Sequence, residues 1–170
     1  MNPYCDQYGC LQAIVPDDLE TIRGWRNSDR VRAAMFSDEL ISAEQQRVWF
    51  TSLQGALDRC YLLYRQAGRR LGLVYFSEID RSAGEAHWGF YIGAEDAPVG
   101  SGSRMCRLGL GFARDVLQLR QIIGEVLADN ERSQSLHLRL GFALEYRLAS
   151  QSITGGGARD VLRYRLDLNA

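Results

Sequence analysis

The sequence Gly100-Ser101-Gly102-Ser103-Arg104 stands between a strand-like run at residues 87–92 and a helical stretch at about residues 103–119. Two glycines one residue apart have no Cβ atoms, so a ligand can approach the backbone closely there. At a helix start, unpaired amide groups and the positive end of the helix dipole favour an anion such as phosphate, and Arg104 adds a positive charge. The stretch predicts an anion-binding loop, although a turn before an ordinary helix would give the same short pattern.

A second segment downstream makes the pattern more specific. After a strand-like run at residues 121–128, residues 130–142 read N-E-R-S-Q-S-L-H-L-R-L-G-F. In order and spacing, the loop and this segment resemble the acyl-CoA-binding core of the GNAT superfamily of N-acetyltransferases. That family has a pyrophosphate-binding loop, Gln/Arg-x-x-Gly-x-Gly/Ala, and later the motif Asn-x-x-Ala/Ser-x-x-x-Tyr-x-x-x-Gly-Phe. The second motif is matched in register by Asn130, Ser133, Gly141 and Phe142.

The resemblance implies acetyl-CoA as the acetyl donor and no metal. The residues it implies for binding the cofactor are Tyr91, Ile92, Gly100, Ser101, Gly102, Ser103, Arg104, Asn130 and Ser133. Two positions depart from the family pattern. Ala97 stands where the loop usually has a polar residue, and His137 stands where the family has tyrosine.

The order of the elements predicts a mixed α/β fold. A first strand at residues 8–14 precedes short helices that start near residues 16, 29 and 42, and strands follow at residues 60–66, 70–79 and 85–92. The loop and its helix come next, then a strand, a helix and two last strands at about residues 142–148 and 161–168. This order agrees with the GNAT fold, an α/β (α+β) architecture with a mixed, mostly antiparallel sheet and flanking helices. We expect one domain over residues 1–170, in which splayed central strands ending at Ile92 and Ala128 admit the pantetheine arm.

A narrower resemblance covers the first half of the chain. Its segments are Trp25-Arg26-Asn27, Val31-Arg32, Met35, Ile41-Ser42, Trp49, residues 74–80 and residues 88–92. They resemble the branch that acetylates the 4-amino group of a UDP-linked deoxyamino sugar in pseudaminic acid biosynthesis. One position departs from that branch, because Gln46 replaces a histidine and cannot carry a charge.

This narrower resemblance suggests residues for the acceptor. We expect Arg26 to bind phosphate or uracil, and Tyr75 or Tyr91 to bind hydroxyl groups. The apolar face of the sugar would lie against Met35, Phe36 and Trp49, for which a position in the hydrophobic core is the alternative. The third helix, at residues 42–57, begins with a capping box of Ser42 and Gln45. The residues expected to face inward on it are Val48, Trp49, Ser52, Leu53 and Ala56.

Acetyl transfer to an amine needs a base for the amine, a donor to the oxyanion and a proton for the leaving thiolate. For the base we favour Glu125, because its apolar neighbours in the strand would strip water from the carboxylate; a salt-bridged structural glutamate is the alternative. Glu78 is the second candidate for the base and His87 the third. His137 is the candidate proton donor, since an imidazole gives up a proton near neutral pH more readily than a phenol with a pKa of about 10. A helix histidine without a role is the alternative.

Two other functions fit the motifs. One is an N-terminal protein acetyltransferase resembling the ribosomal-protein branch, which would need an open groove for a peptide. The other is an acyl-CoA-binding module without catalysis. A sugar acetyltransferase should instead have a pocket closed by the early helices.

The composition limits the other partners and the location. The chain of 170 residues has a formal net charge of −1 and an isoelectric point of about 6.1, which argues against a nucleic-acid or membrane surface as partner. The four cysteines are scattered, so we expect free thiols in a reducing cytoplasm. The absence of a leader-like start and of a long apolar run also favours a cytoplasmic protein. The resemblance admits a homodimer.

Overall fold

A computed structural model describes residues 2–155 and 157–169. Among these residues the strands are β1 (Tyr4–Cys5), β2 (Cys10–Ala13), β3 (Cys60–Gln66), β4 (Arg69–Asp80), β5 (Glu85–Ile92), β6 (Gln121–Leu127), β7 (Ala143–Ser152) and β8 (Ala158–Asp167). The α-helices are α1 (Leu19–Asn27), α2 (Asp29–Arg32), α3 (Ala43–Ser52), α4 (Ser101–Asp115) and α5 (Glu131–Arg139). A 3₁₀ turn at Pro16–Asp18 leads into α1.

The strands form a single sheet in the order β1-β2-β3-β4-β5-β6-β8-β7. All neighbouring pairs are antiparallel except β5 and β6, which are parallel. The bounds of β3 and β5 coincide with the predicted strands. Between β3 and β4, Ala67 and Gly68 both have positive φ, at 49° and 77°, as a two-residue hairpin turn of type I′ requires. The predicted mixed, mostly antiparallel fold is therefore confirmed.

Helices cover both faces of the sheet because side chains alternate along its central strands. In β3, Leu62 and Tyr64 belong to a core cluster with Phe112 of α4, whereas Leu63 belongs to a second cluster with Ile22 of α1. This alternation follows from the two-residue period of a strand. The central strands are thus buried on both sides, and the early helices and α4 lie on opposite faces.

The inward face of α3 differs from the predicted one. Val48 was expected to face inward but is 61 % exposed, whereas the polar Gln46 is only 4 % exposed. The inner side of the helix is continued by Trp49 and Phe50, which pack on the second cluster. The prediction was therefore right for Trp49 but wrong for Val48, because a polar residue occupies an inward position and hydrophobic spacing cannot register it.

The expectation of four free cysteines is also wrong. Cys5 and Cys10 form a disulfide, and they lie directly opposite each other in β1 and β2. Cys60 and Cys106 remain free. The two residues of β1 are too few to show a strand pattern, so the sequence did not reveal that this pair faces each other.

The parallel strands β5 and β6 separate partway along their length. Their pairing runs from Glu85 opposite Gln121 to Trp88 opposite Gly124. Beyond that point β5 continues to Ile92 and β6 to Leu127 without pairing to each other. The predicted splay is confirmed, and it opens a gap in the middle of the sheet.

Candidate active site

A cavity of about 790 Å³ lies at the splay of β5 and β6. Its walls come from the separated strand ends, the loop before α4, the first turns of α5 and the α1–α2 region. Most of the residues expected to bind cofactor or acceptor line it: Arg26, Met35, Phe36, Tyr75, Tyr91, Ile92, Gly100, Ser101, Gly102, Asn130 and Ser133. Folding thus brings together positions far apart in the sequence.

The start of α4 offers free backbone donors. Gly100 caps the helix with a left-handed φ of 87°, a conformation that glycine adopts without strain. The amide of Ser101 donates to the Pro98 carbonyl, and that of Arg104 donates to Gly100. Among the described residues the amides of Gly102 and Ser103 have no hydrogen-bond partner, so they can serve an anion at the positive end of the helix.

Gly102 leaves open space in which a ligand can approach its backbone closely. A Cβ atom added to Gly102 would meet only Ile92 Cγ1, at 3.6 Å, so the space beside this residue belongs to the cavity. The glycine therefore leaves room at the two free amides, as binding of the pyrophosphate of acetyl-CoA requires.

Two of the expected cofactor residues, Ser103 and Arg104, are not among those that line the cavity. The Arg104 guanidinium lies 5.4 Å above the ring of Tyr8. The arginines that line the cavity besides Arg26 are Arg30 and Arg132. Sequence reasoning missed both of these arginines, although Arg132 lies inside the Asn130 motif.

Asn130 has a structural task at the cavity. Its Oδ1 accepts a hydrogen bond of 3.1 Å from the amide of Ser133 and so caps α5. Both residues line the cavity. The motif therefore fixes where α5 starts, and with it the edge of the cavity.

His137 is buried, with 3 % of its surface exposed. Its Nδ1 lies 2.8 Å from the Ser133 carbonyl oxygen, which can only accept, so Nδ1 carries the proton. Its Nε2 accepts a hydrogen bond of 3.1 Å from the indole N–H of Trp88. Aromatic rings surround the imidazole: Trp88, Phe90, Phe142 and Tyr164.

These surroundings do not suit the role of proton donor that we expected for His137. The Nδ1 proton is donated to a carbonyl, and the other nitrogen is occupied as an acceptor, so no proton points into the cavity. Burial also lowers the pKa of His137 below its ordinary value. The imidazole fits the role of a neutral hydrogen-bonding core residue. Gly124 makes room for it, because a Cβ there would lie 2.5 Å from His137 Nε2.

The lowered pKa of His137 gives a pH prediction. In the unfolded chain His137 takes up a proton near pH 6.5, whereas in the folded chain it does so only at a lower pH. This contribution to stability is therefore present above about pH 6.5 and is lost as the pH falls through the lowered pKa of the folded state. The unfolding free energy of wild type minus that of His137→Phe, from urea titrations, should decrease between about pH 7 and pH 5. A difference that is flat across this range would contradict the prediction.

Of the three candidates for the base, Glu125 alone lines the cavity. Its Oε1 lies 3.3 Å from Nη1 of Arg163, its cross-strand neighbour on β8. Glu78 is 77 % exposed in its side chain and lies 3.9 Å from His87, beside an irregularity in β4. Neither Glu78 nor His87 is near the splayed strand ends, so the structure does not bring them to the site.

The acceptor side of the cavity is aromatic and contains Arg26, a half-buried cation. Nη2 of Arg26 donates to the carbonyl of Ser37 at 2.7 Å, but its Nη1 is buried without a partner among the described residues. Burial lowers the pKa of Arg26 and raises that of Tyr75 to about 12, so the phenol stays neutral. Trp49 does not line the cavity; it contacts Tyr61, which stacks on Tyr75.

No group of three or more His, Cys, Asp or Glu side chains in residues 2–155 and 157–169 is placed to hold a metal ion. In the same part of the chain, no helix is both long and apolar enough to span a bilayer.

Residues 10–143 match the family model described as "Acetyltransferase (GNAT) domain". The chain therefore belongs to the GNAT acetyltransferase family, and it is an acetyltransferase that uses acetyl-CoA as its acetyl donor. A comparison with curated protein sequences gives no significant match.

Solved structures share the fold at low sequence identity. A spermidine N-acetyltransferase from Vibrio cholerae, in complex with CoA and spermine, is 20 % identical with a TM-score of 0.89, over 96 % of this chain and 98 % of its own. A probable acetyltransferase is 19 % identical with a TM-score of 0.83, over 99 % and 98 %. The microcin C7 self-immunity acetyltransferase MccE, in complex with acetyl-CoA and AMP, is 18 % identical with a TM-score of 0.81, over 95 % and 93 %.

Proposed function

We propose that this enzyme acetylates the amino group of a small acceptor that carries an anionic, oxygen-rich part, and that the acceptor is a UDP-linked deoxyamino sugar. The observation that carries the proposal is the buried Nη1 of Arg26, a residue that lines the cavity, because this atom has no hydrogen-bond partner within residues 2–155 and 157–169.

A buried donor without a partner is costly. Leaving an N–H group unpaired costs about 1–3 kcal/mol, and more when the group is charged. An oxygen of a bound acceptor would supply the missing bond, because guanidinium groups bind phosphate and carbonyl oxygens through directed N–H donors. The apolar Met35 and Phe36 line the same cavity and suit a deoxysugar face.

The charges that line the cavity suit the anionic groups of acetyl-CoA and of a nucleotide acceptor better than they suit a polycation. The lining cations are Arg26, Arg30 and Arg132, and the lining carboxylates are Glu95 and Glu125. Glu125 is in addition paired with Arg163. The structurally similar protein MccE was solved in complex with acetyl-CoA and a nucleotide, AMP.

A polyamine is the second candidate acceptor. The spermidine acetyltransferase with the same fold was solved with spermine, and Glu95 and Glu125 could bind ammonium groups. This candidate leaves Nη1 of Arg26 without a partner, since a polyamine brings no acceptor oxygen. We therefore rank it below the nucleotide sugar.

We assign each of these residues one role in acetyl transfer. Acetyl-CoA, when bound, supplies the acetyl group as a thioester. The amides of Gly102 and Ser103 hold an anion at the start of α4, and β5 beyond Trp88 has backbone groups that β6 does not pair. Glu125 takes a proton from the acceptor ammonium. We assign the last proton to solvent water, because neither ring nitrogen of His137 offers one to the cavity.

Replacement of Arg26 by methionine tests this proposal. For a UDP-4-amino sugar, we expect KM to rise by about tenfold or more because the guanidinium no longer meets the acceptor oxygens. The dissociation constant of acetyl-CoA should stay unchanged. Steady-state kinetics and calorimetry measure the two quantities. The control is Arg23→Met, which removes an arginine of the same helix that pairs with Glu20 outside the cavity.

Other acceptors separate the alternatives. Turnover of spermidine but not of the sugar nucleotide by the wild type would overturn the proposal in favour of a polyamine. Turnover of peptide N-termini alone would favour the protein acetyltransferase. Binding of acetyl-CoA without turnover of any of these amines would indicate a binding module.

A further inference from the structure

A chain of alternating charges crosses one face of the sheet and ends at the cavity. Its members, in order from β5 to the cavity, are Glu85, Arg165, Glu145, Arg163 and Glu125. The closest contacts along it measure 3.4, 2.6, 3.3 and 3.3 Å. The first four members lie outside the cavity, and Glu125 lines it.

Strand register builds this chain. In the antiparallel pair of β6 and β8, Arg163 lies opposite Glu125. Arg165 follows two residues later and so faces the same side of the sheet. In β7 a register shift between Leu144 and Tyr146 directs Glu145 toward both arginines.

Arg163 is held from several sides. It contacts the carboxylates of Glu125 and Glu145, and its guanidinium lies 5.6 Å above the ring of Tyr146. Its side chain is 19 % exposed. A planar guanidinium fixed by two carboxylates and a ring has little freedom, so it can fix the partner that faces the cavity.

We infer that Arg163 is a positioning residue, which holds the Glu125 carboxylate oriented toward the acceptor amine. The inference rests on the proposed function, in which Glu125 is the base. Arg163 does not line the cavity and acts only through Glu125. Other charged or titratable groups that face the cavity around Glu125 are Arg26, Arg30, Arg132, Glu95, His137, Tyr75 and Tyr91; the ion pair that Glu125 makes is with Arg163.

The test is the steady-state kinetics of Arg163→Met. Without the guanidinium the carboxylate of Glu125 is no longer held toward the acceptor amine, so at pH 7 kcat should fall by about tenfold, while the KM of the acceptor and the dissociation constant of acetyl-CoA stay unchanged. Arg163→Lys should show a smaller loss of kcat, and its result is decisive if the methionine variant does not fold.

A matched control separates positioning from a structural role. Arg147→Met removes another arginine of the β7–β8 hairpin, one that pairs with Asp160 and does not belong to the charge chain. We expect its kcat to match the wild type. A kcat that is unchanged in the folded Arg163 variants, with only a lower melting temperature, would overturn the inference.

A second measurement keeps this test independent of the acceptor. Crystal structures of the wild type and of Arg163→Met, both without acceptor, compare the position of the Glu125 carboxylate. In the variant this carboxylate should leave the position that it holds in the wild type, whichever amine is the substrate. Failure of every acceptor together with a displaced carboxylate would refute the proposed function alone, whereas an unchanged carboxylate position would refute the role of Arg163.

Discussion

Replacement of His137 by alanine is expected to lower the free energy of unfolding by about 3 kcal/mol, from a cavity left in the aromatic cluster and the lost hydrogen bond. The indole N–H of Trp88 would lose its acceptor and stay buried, with Trp88 itself only 5 % exposed. On folded enzyme, kcat should fall by less than about tenfold, because the imidazole gives no proton to the cavity.

Urea unfolding followed by tryptophan fluorescence measures the first effect, and steady-state kinetics well below the melting temperature measure the second. Leu138→Ala is the control, since it truncates the next residue of α5, whose side chain is exposed. A fall in kcat of about a hundredfold at unchanged stability would instead restore His137 as a general acid.

The sequence motifs predicted the cavity well because they encode backbone geometry. Glycines at the start of α4 and Asn130 at the cap of α5 act through local conformation, and local conformation can be inferred from spacing. The splay between β5 and β6 was implied by the family resemblance rather than by any residue in these strands.

The contacts of long side chains were harder to predict than the backbone geometry. Arg104 follows the glycine loop directly, yet its long side chain reaches Tyr8, a residue of the N-terminal hairpin that the sequence did not link to α4. Trp49 lies behind Tyr61 and Tyr75 rather than at the cavity. Helical spacing predicts on which side of a helix a residue lies. It does not predict which other element of the protein packs against that side.

The other contacts at the site join residues that are far apart in the sequence. The contact of Glu125 with Arg163 depends on the register of β6 and β8, which are joined through α5 and β7. The aromatic rings around His137 likewise come from β5, from the residue before β7 and from β8. No local pattern in the sequence specifies such contacts, so the hydrogen bonds and burial that argue against a proton-donor role of His137 could be found only in three dimensions.

Replacement of Gly102 by valine is expected to weaken acetyl-CoA binding by at least about fiftyfold, a loss of about 2.3 kcal/mol. The new side chain would occupy the space from which the pyrophosphate reaches the amides of Gly102 and Ser103. Folding should survive, because the added Cβ lies 3.6 Å from Ile92, an ordinary contact, and glycine is the weaker helix former. Calorimetric titration of acetyl-CoA measures the effect.

The matched control for Gly102→Val is Gly24→Val, a glycine inside α1 where an added Cβ meets no other atom within 4 Å. Both variants put the same side chain on a helix, but Gly102 alone lines the cavity. A loss of affinity in the Gly102 variant and not in the control would therefore come from the blocked amides rather than from altered helix propensity. Unchanged binding in a folded Gly102→Val protein would mean that other groups hold the pyrophosphate. Arg30 and Arg132 are the candidates, because both are cations that line the cavity.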